Sequence, residues 1–125
     1  LLGRYKIERE SFPAIALTSN SSTITALSND YSSDVIFSRQ CESLVTKGDV
    51  VIGISTSGNS KNVENGIKTS KEKNAFTIGL LGGDGGTIKN YVDISIEIPS
   101  IKSIGSKTFP FDLLIFCPSE SLINP

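Results

Sequence analysis

At 125 residues the chain is long enough for one domain and too short for two. Apolar residues at 38% and charged residues at 20% suit a soluble globular domain with a core large enough to fold. The net charge of −1, from 12 basic and 13 acidic residues, excludes the basic footprint of a nucleic-acid binder and any attraction to anionic membrane.

No apolar run approaches the ~20 residues of a membrane span, and the opening residues are not expected to act as a signal peptide. Cys41 and Cys117 are too isolated for a disulfide framework or a Cys-based zinc site. The sequence has no Met and starts at Leu1, although removal of an initiator Met normally leaves a small residue first. We therefore expect something other than a complete translated product. It also has no His, which removes the commonest general base and the commonest metal ligand together.

In chain order, Phe12 to Thr18 predicts a short buried strand with Pro13 at its start. Ser19 to Ser22 reads as a polar turn, and Ile24 and Leu27 as a short helical turn ending at Asn29-Asp30. Ser33 to Lys47 predicts a helix, because Phe37, Cys41, Leu44 and Val45 share one face; Ser33 or Asp34 would cap it and Gly48 would end it. Asp49 to Ser55 is apolar without alternation, the mark of a parallel strand covered on both faces. Ser60 to Lys73 predicts a second long helix, Ala75 to Leu81 a third strand, and Val92 to Ile98 an alternating strand ended by Pro99. Strands alternating with helices predict an α/β fold with a parallel sheet. Beyond Ile101 the pattern lapses, and the prolines at 110 and 118 oppose a long closing helix.

The informative segment is Gly53-Ile-Ser-Thr-Ser-Gly58-Asn59-Ser60, at the turn from a parallel strand into a helix. Ligands of such sheets bind outside the carboxyl ends of the strands. A helix N-terminus there offers free N–H donors and the positive end of a dipole. Ser55, Thr56, Ser57 and Ser60 add hydroxyl donors, and Gly58 lets the backbone approach closely. The spacing nearly matches the P-loop G-x-x-x-x-G-K-[ST], but Asn59 stands where the Lys belongs. A phosphate monoester fits this neutral cradle better than a nucleoside triphosphate; a plain helix-capping loop is the competing reading.

Other candidates carry less. Asn29 and Asp30 suit the vicinal diols of a sugar, or simply end a helix. Arg4 is a candidate phosphate contact or a solvated terminal cation. Gly82 to Gly86 reads as a turn, with a second anion nest as the alternative. Glu42 and Lys47 read as solvated, and Asp93 and Glu97 as a polar strand face. No catalytic constellation and no metal site can be assembled.

Gly3-Arg-Tyr-Lys6, Phe12-Pro-Ala-Ile-Ala-Leu17, Asn29-Asp30-Tyr31, Phe37-Ser-Arg39 and Gly53 to Ser60 together resemble the phosphoheptose isomerases, bacterial sedoheptulose 7-phosphate isomerases of the SIS (sugar isomerase) domain superfamily. The likeness runs in order from Leu1 to about Ser100. It implies a three-layer αβα sandwich around a parallel sheet, flavodoxin- or Rossmann-like in type. It implies a partial SIS domain over 1–100 with an aberrant or poorly ordered tail over 101–125. It also implies a cytoplasmic homotetramer that converts sedoheptulose 7-phosphate to D-glycero-D-manno-heptose 7-phosphate for surface glycans such as lipopolysaccharide. By that likeness Ser55, Thr56, Ser57 and Ser60 bind the phosphate, Asn29 and Asp30 contact the sugar, and Arg4 lies near the site.

The same likeness places the family's catalytic Glu just before Leu1, with a Gly-Gly-Ser substrate loop and a zinc-ligand His further upstream. It also implies a C-terminal helix carrying Arg-x-Gln-Glu-x-His and a further His, and Ile101 to Pro125 shows neither. We expect this tail to be a frameshifted or misassembled reading of that region. No catalytic residue and no cofactor are expected in this chain, zinc belonging to the intact family enzyme. The expected role is that of the sugar-phosphate-binding part of the isomerase, in an inactive fragment that binds sugar phosphate weakly or not at all, exposes apolar surface and tends to associate. The alternative is a non-catalytic SIS-domain regulator or sugar-phosphate sensor.

Overall fold

The computed structural model describes Gly3, residues 6–99 and the backbone of 113–117. Arg4 lies outside the described residues.

Five strands form one sheet in the order β1-β5-β2-β3-β4. Strand β2 (Val50–Ser55) pairs in parallel with β3 (Phe76–Gly82), and β3 in parallel with β4 (Ile94–Ile98). Strand β1 is only Ile15–Ala16, shorter than the strand read from Phe12 to Thr18. It points the same way as β2, because β5 (Leu113–Cys117) runs antiparallel between the two. The helix-hostile run between Pro110 and Pro118 thus contributes a strand.

The helices are α1 (Ser21–Asp30), α2 (Ile36–Leu44) and α3 (Lys61–Glu72). Asn20 caps α1, its Oδ1 accepting from the Thr23 N–H at 3.1 Å. This helix is ten residues long, with Asn29 and Asp30 in its last turn, as the helix-ending reading of that pair expects. The helix expected from Ser33 opens instead with a 3₁₀ turn over Ser33–Val35, and Val45 ends it.

α3 packs on β2 and β3, α2 on α3, and α1 on α2. Gly53 makes the close approach possible: a Cβ there would stand 3.0 Å from a Val63 methyl and 3.1 Å from the Ile67 Cδ1. The core under this layer joins Leu17, Phe37, Cys41, Val45, Val51, Val63, Ile67, Leu81 and Ile88. Burial holds the Cys41 thiol up at about 11, which makes it inert at neutral pH.

Side chains alternate along a strand, so Val51, Gly53 and Ser55 are buried while Val50, Ile52 and Ile54 face the other way. On that second face no helix lies among the described residues, and Ile94, Ile96 and Ile98 are exposed. The described residues thus hold the sheet and one helical layer of the expected sandwich.

Asp93 does more than line a polar strand face. Its Oδ2 accepts from the Thr77 N–H at 2.8 Å and hydroxyl at 2.9 Å, and its Oδ1 from Lys71 at 2.8 Å. The Lys71 ammonium, followed by the Thr77 donors, holds its carboxyl below the ordinary 3.8.

Candidate functional site

The segment 55–60 lies where the fold rule puts a ligand, between the carboxyl end of β2 and the start of α3. Ser55 is buried as the last residue of the strand, Thr56 and Ser57 are exposed, and Ser60 is half-buried as the N-cap of α3. The Ser55 and Ser60 hydroxyls are 2.9 Å apart. One donates to the other, leaving one hydroxyl proton of the pair for a ligand. Ser57 Oγ accepts from the Asn59 N–H at 3.1 Å. The N–H groups of Ser57, Gly58 and Ser60 have no partner among the described residues. Free donors just ahead of the first turn of a twelve-residue helix suit an anion. A cavity of about 340 Å³ adjoins it, lined by Ile54, Ser55, Thr56, Leu80, Ile98 and Pro99 among others.

The loop is held in place by the glycine turn after β3. Asn59 is the bridge: its Nδ2 donates to the Ser57 carbonyl at 2.9 Å, and its Oδ1 accepts from the Thr87 N–H at 3.0 Å. The Ile88 N–H donates to the Gly58 carbonyl at 3.0 Å. The two backbones touch, since a Cβ on Gly58 would lie 2.3 Å from the Gly85 carbonyl and one on Gly82 2.0 Å from the Thr56 oxygen. The turn is not a second anion nest. The Gly83 N–H donates to Ile98, that of Gly85 to Gly82, and that of Gly86 to the Asp84 carboxylate. Sequence reasoning weighed Asn59 only as a missing Lys and so overlooked its structural role. The available signal was the four glycines within five positions, which mark a close backbone approach.

Glu64 adds a further tie that the sequence did not reveal. Its side chain is buried, its Oε2 accepts from the Thr87 hydroxyl at 3.0 Å, and its Oε1 pairs with Lys61 and Lys68. The Lys68 hydrogen bond, chiefly, holds its carboxyl below the ordinary 4.5, against the opposing effect of burial. Two ammonium groups against one carboxylate leave the first turns of α3 locally positive. A carboxylate with a lowered native pKa stabilises the fold above its unfolded pKa. That contribution disappears as pH falls through the native value. Glu64→Gln is therefore expected to lower the melting temperature most above pH 4.5, and the gap to the parent should close on acidification. Melting curves between neutral pH and about pH 3 check this.

Asn29 and Asp30 are exposed at the end of α1, and no hydrogen bond joins them to the 55–60 loop among the described residues. No group of three or more His, Cys, Asp or Glu converges for a metal among the described residues, and the sequence has no His, so they do not fit the zinc that the resemblance implies. No helix among the described residues is long and apolar enough to cross a membrane.

A family model described as "SIS domain" matches residues 1–82. A phosphoheptose isomerase of Geobacter sulfurreducens is 52% identical over 100 residues, 80% of this chain and 53% of that protein. One of Geotalea daltonii is 56% identical over 99 residues, 79% of this chain and 52% of that protein. Among solved structures, a phosphoheptose isomerase from Francisella tularensis superposes with a TM-score of 0.76 at 36% identity, over 83% of this chain and 56% of that one. The enzyme from Neisseria gonorrhoeae gives 0.67 at 41% identity, over 70% and 49%. The chain spans about half the length of the curated relatives it matches.

Proposed function

Because the chain belongs to the SIS domain family, we propose that it is the phosphate-holding part of a sedoheptulose 7-phosphate isomerase. The observation that carries this reading is the set of unpartnered N–H groups at Ser57, Gly58 and Ser60, gathered with the Ser55–Ser60 hydroxyl pair at the start of α3. Such a cradle neutralises a phosphate monoester through hydrogen bonds and a helix dipole, without a charge of its own. Thr56 and Ser57, exposed beside it, add hydroxyls. Asn29, Asp30 and Arg4 as further substrate contacts, a homotetrameric assembly and a cytoplasmic setting belong to the same proposal.

Aldose–ketose isomerisation moves a proton between adjacent carbons and needs a positioned acid–base pair, each such group contributing ~10²–10⁴-fold. The sequence has no imidazole, and the carboxylates of the neighbouring segments are engaged, Asp84 with the Gly86 N–H and Glu64 with Lys61, Lys68 and Thr87. We propose accordingly that this chain binds sugar phosphate without turning it over and without a bound metal.

Calorimetric titration of the chain with inorganic phosphate, sedoheptulose 7-phosphate and ATP tests the reading. The first two are expected to bind and ATP to bind no better than inorganic phosphate. Ser57→Asp, a like charge at an exposed position, is expected to weaken phosphate binding about tenfold or more. Equal binding by parent and variant would refute the cradle.

A further inference from the structure

The described sheet has two edges of different character. β1 is two residues long and follows Pro13 closely, which blunts that edge. β4 reads Ile-Ser-Ile-Glu-Ile over five residues and pairs only with β3 among the described residues. It carries no Lys and no Pro, two of the usual guards of an open strand.

The direction of its backbone groups follows from its neighbours. The Phe76 N–H donates to Asp49 on the β2 side, so the odd-numbered residues of β3 turn their groups toward β4. The Gly83 N–H accordingly donates to the Ile98 carbonyl at 3.0 Å. Ile94, Ile96 and Ile98 therefore face β3 with their backbone groups, and Ser95 and Glu97 present an N–H and a C=O each to the outside. Both of these residues are exposed.

A second copy of the chain meets this edge antiparallel, about a two-fold axis. Centred on Ile96, all five residues of β4 pair. Ser95 then lies opposite the partner's Glu97, with both N–H and both C=O groups exchanged, and the same pair recurs across the axis. Shifting the centre to Ser95 sets Asp93 against the partner's Glu97, and shifting it to Glu97 sets two glutamates face to face. Like charges directly opposite destabilise a sheet, so charge selects the Ile96 register. That register also joins apolar surfaces. Ile54, Leu80 and Ile96 lie in one row across the open face of the sheet, and the two-fold axis continues the row into the partner's Ile96.

We propose that β4 is a self-pairing edge, through which two copies of this chain form one continuous sheet centred on Ile96. This is independent of the phosphate reading. It is compatible with the homotetramer proposed above, since such assemblies are commonly built from two-fold pairs.

Sedimentation equilibrium of the full chain reads the association. A five-residue pairing is a small interface, so masses are followed up to about 500 μM chain. The parent is expected to move from 13.4 kDa toward twice that mass. Ser95→Glu, which sets two like-charged pairs across the axis, is expected to weaken the association about tenfold, and Ser95→Lys to tighten it by a similar factor. Mild oxidation reads the register. Ile96→Cys would stand about 4.5 Å from its own copy between Cα atoms, within disulfide range, whereas Ile94→Cys would lie about 14 Å from its own. Only Ile96→Cys is expected to give a covalent dimer beyond the level of the oxidised parent. A parent that stays at 13.4 kDa throughout would overturn the proposal. So would Ser95→Glu and Ser95→Lys variants that associate as the parent does, or equal cross-linking at 94 and 96, which would indicate association through the sheet face without a register. If Ser95→Glu melts unlike the parent, Ser95→Lys and the two cysteine variants decide the outcome.

Discussion

Gly58→Ala is expected to abolish measurable phosphate binding and to lower the melting temperature. Gly58 has φ +67°, a left-handed conformation that costs an alanine roughly 1 kcal/mol. That strain is the smaller effect. The new Cβ would stand 2.3 Å from the Gly85 carbonyl carbon and oxygen and 2.7 Å from the Gly86 nitrogen. All three are backbone atoms, so a rotamer change cannot relieve the contact; one loop must move. The bonds at stake are Ile88 N–H to Gly58 and Thr87 N–H to Asn59, which fix the direction of the free donors at 57–60. A loss of about 100-fold in affinity follows from misdirecting two charge-assisted hydrogen bonds. Gly83→Ala is the control. It has φ +68° but open space around its Cβ, so it should carry the conformational cost alone and bind phosphate as the parent does. Calorimetry and thermal melts of both variants distinguish the clash from the strain. Equal behaviour of the two would mean that the loop contact is dispensable.

The parts of this molecule that were legible in the sequence are those with one dominant local signal. The unbroken apolar run at 50–55 forms β2 within a residue of its expected start. The hydroxyl-rich loop after it lies at a strand–helix junction, as expected. What was not legible depended on partners distant in sequence or on weak local signals. α1 read as a turn because Ser21-Ser22-Thr23 favour caps and loops, and only Ile24 and Leu27 supply apolar anchors. Its length comes from an Asn20 cap and packing on α2. Asp93 read only as part of a polar strand face because Thr77 and Lys71, its partners, are 16 and 22 residues away. Asn59 read as the absence of a lysine because Thr87 is 28 residues downstream. β5 could not be read at all, since Leu113–Cys117 pairs with β1 and β2 across most of the chain. Interactions between distant segments leave no local periodicity to find.

The two faces of the sheet should respond to substitution very differently. Ile67 is fully buried between α3 and β2, touching the space that Gly53 leaves open. Ile67→Ala is expected to cost about 2–5 kcal/mol, from lost transfer free energy and the cavity left behind. Against a typical domain stability of about 5–15 kcal/mol this is a large fraction, and it should lower the melting temperature by about 10–20 °C. Ile96 sits on β4 and is 47% exposed, with Ile94 at 45% and Ile98 at 59% beside it. Ile96→Thr keeps the β-branched shape that suits a strand and removes little buried surface, so it is expected to cost less than about 1 kcal/mol. The triple change at 94, 96 and 98 should also reduce light scattering at high concentration, because a contiguous apolar face favours association. Denaturant titration of the single variants and scattering of the triple variant check both expectations. The absence of alternation along Val50 to Ile54 argues the same point from the sequence side. A strand meant to face water on one side would carry polar residues at 50, 52 and 54, and this one carries valine and isoleucine. A stability cost at Ile96 matching that at Ile67 would mean that the second face is already covered in solution.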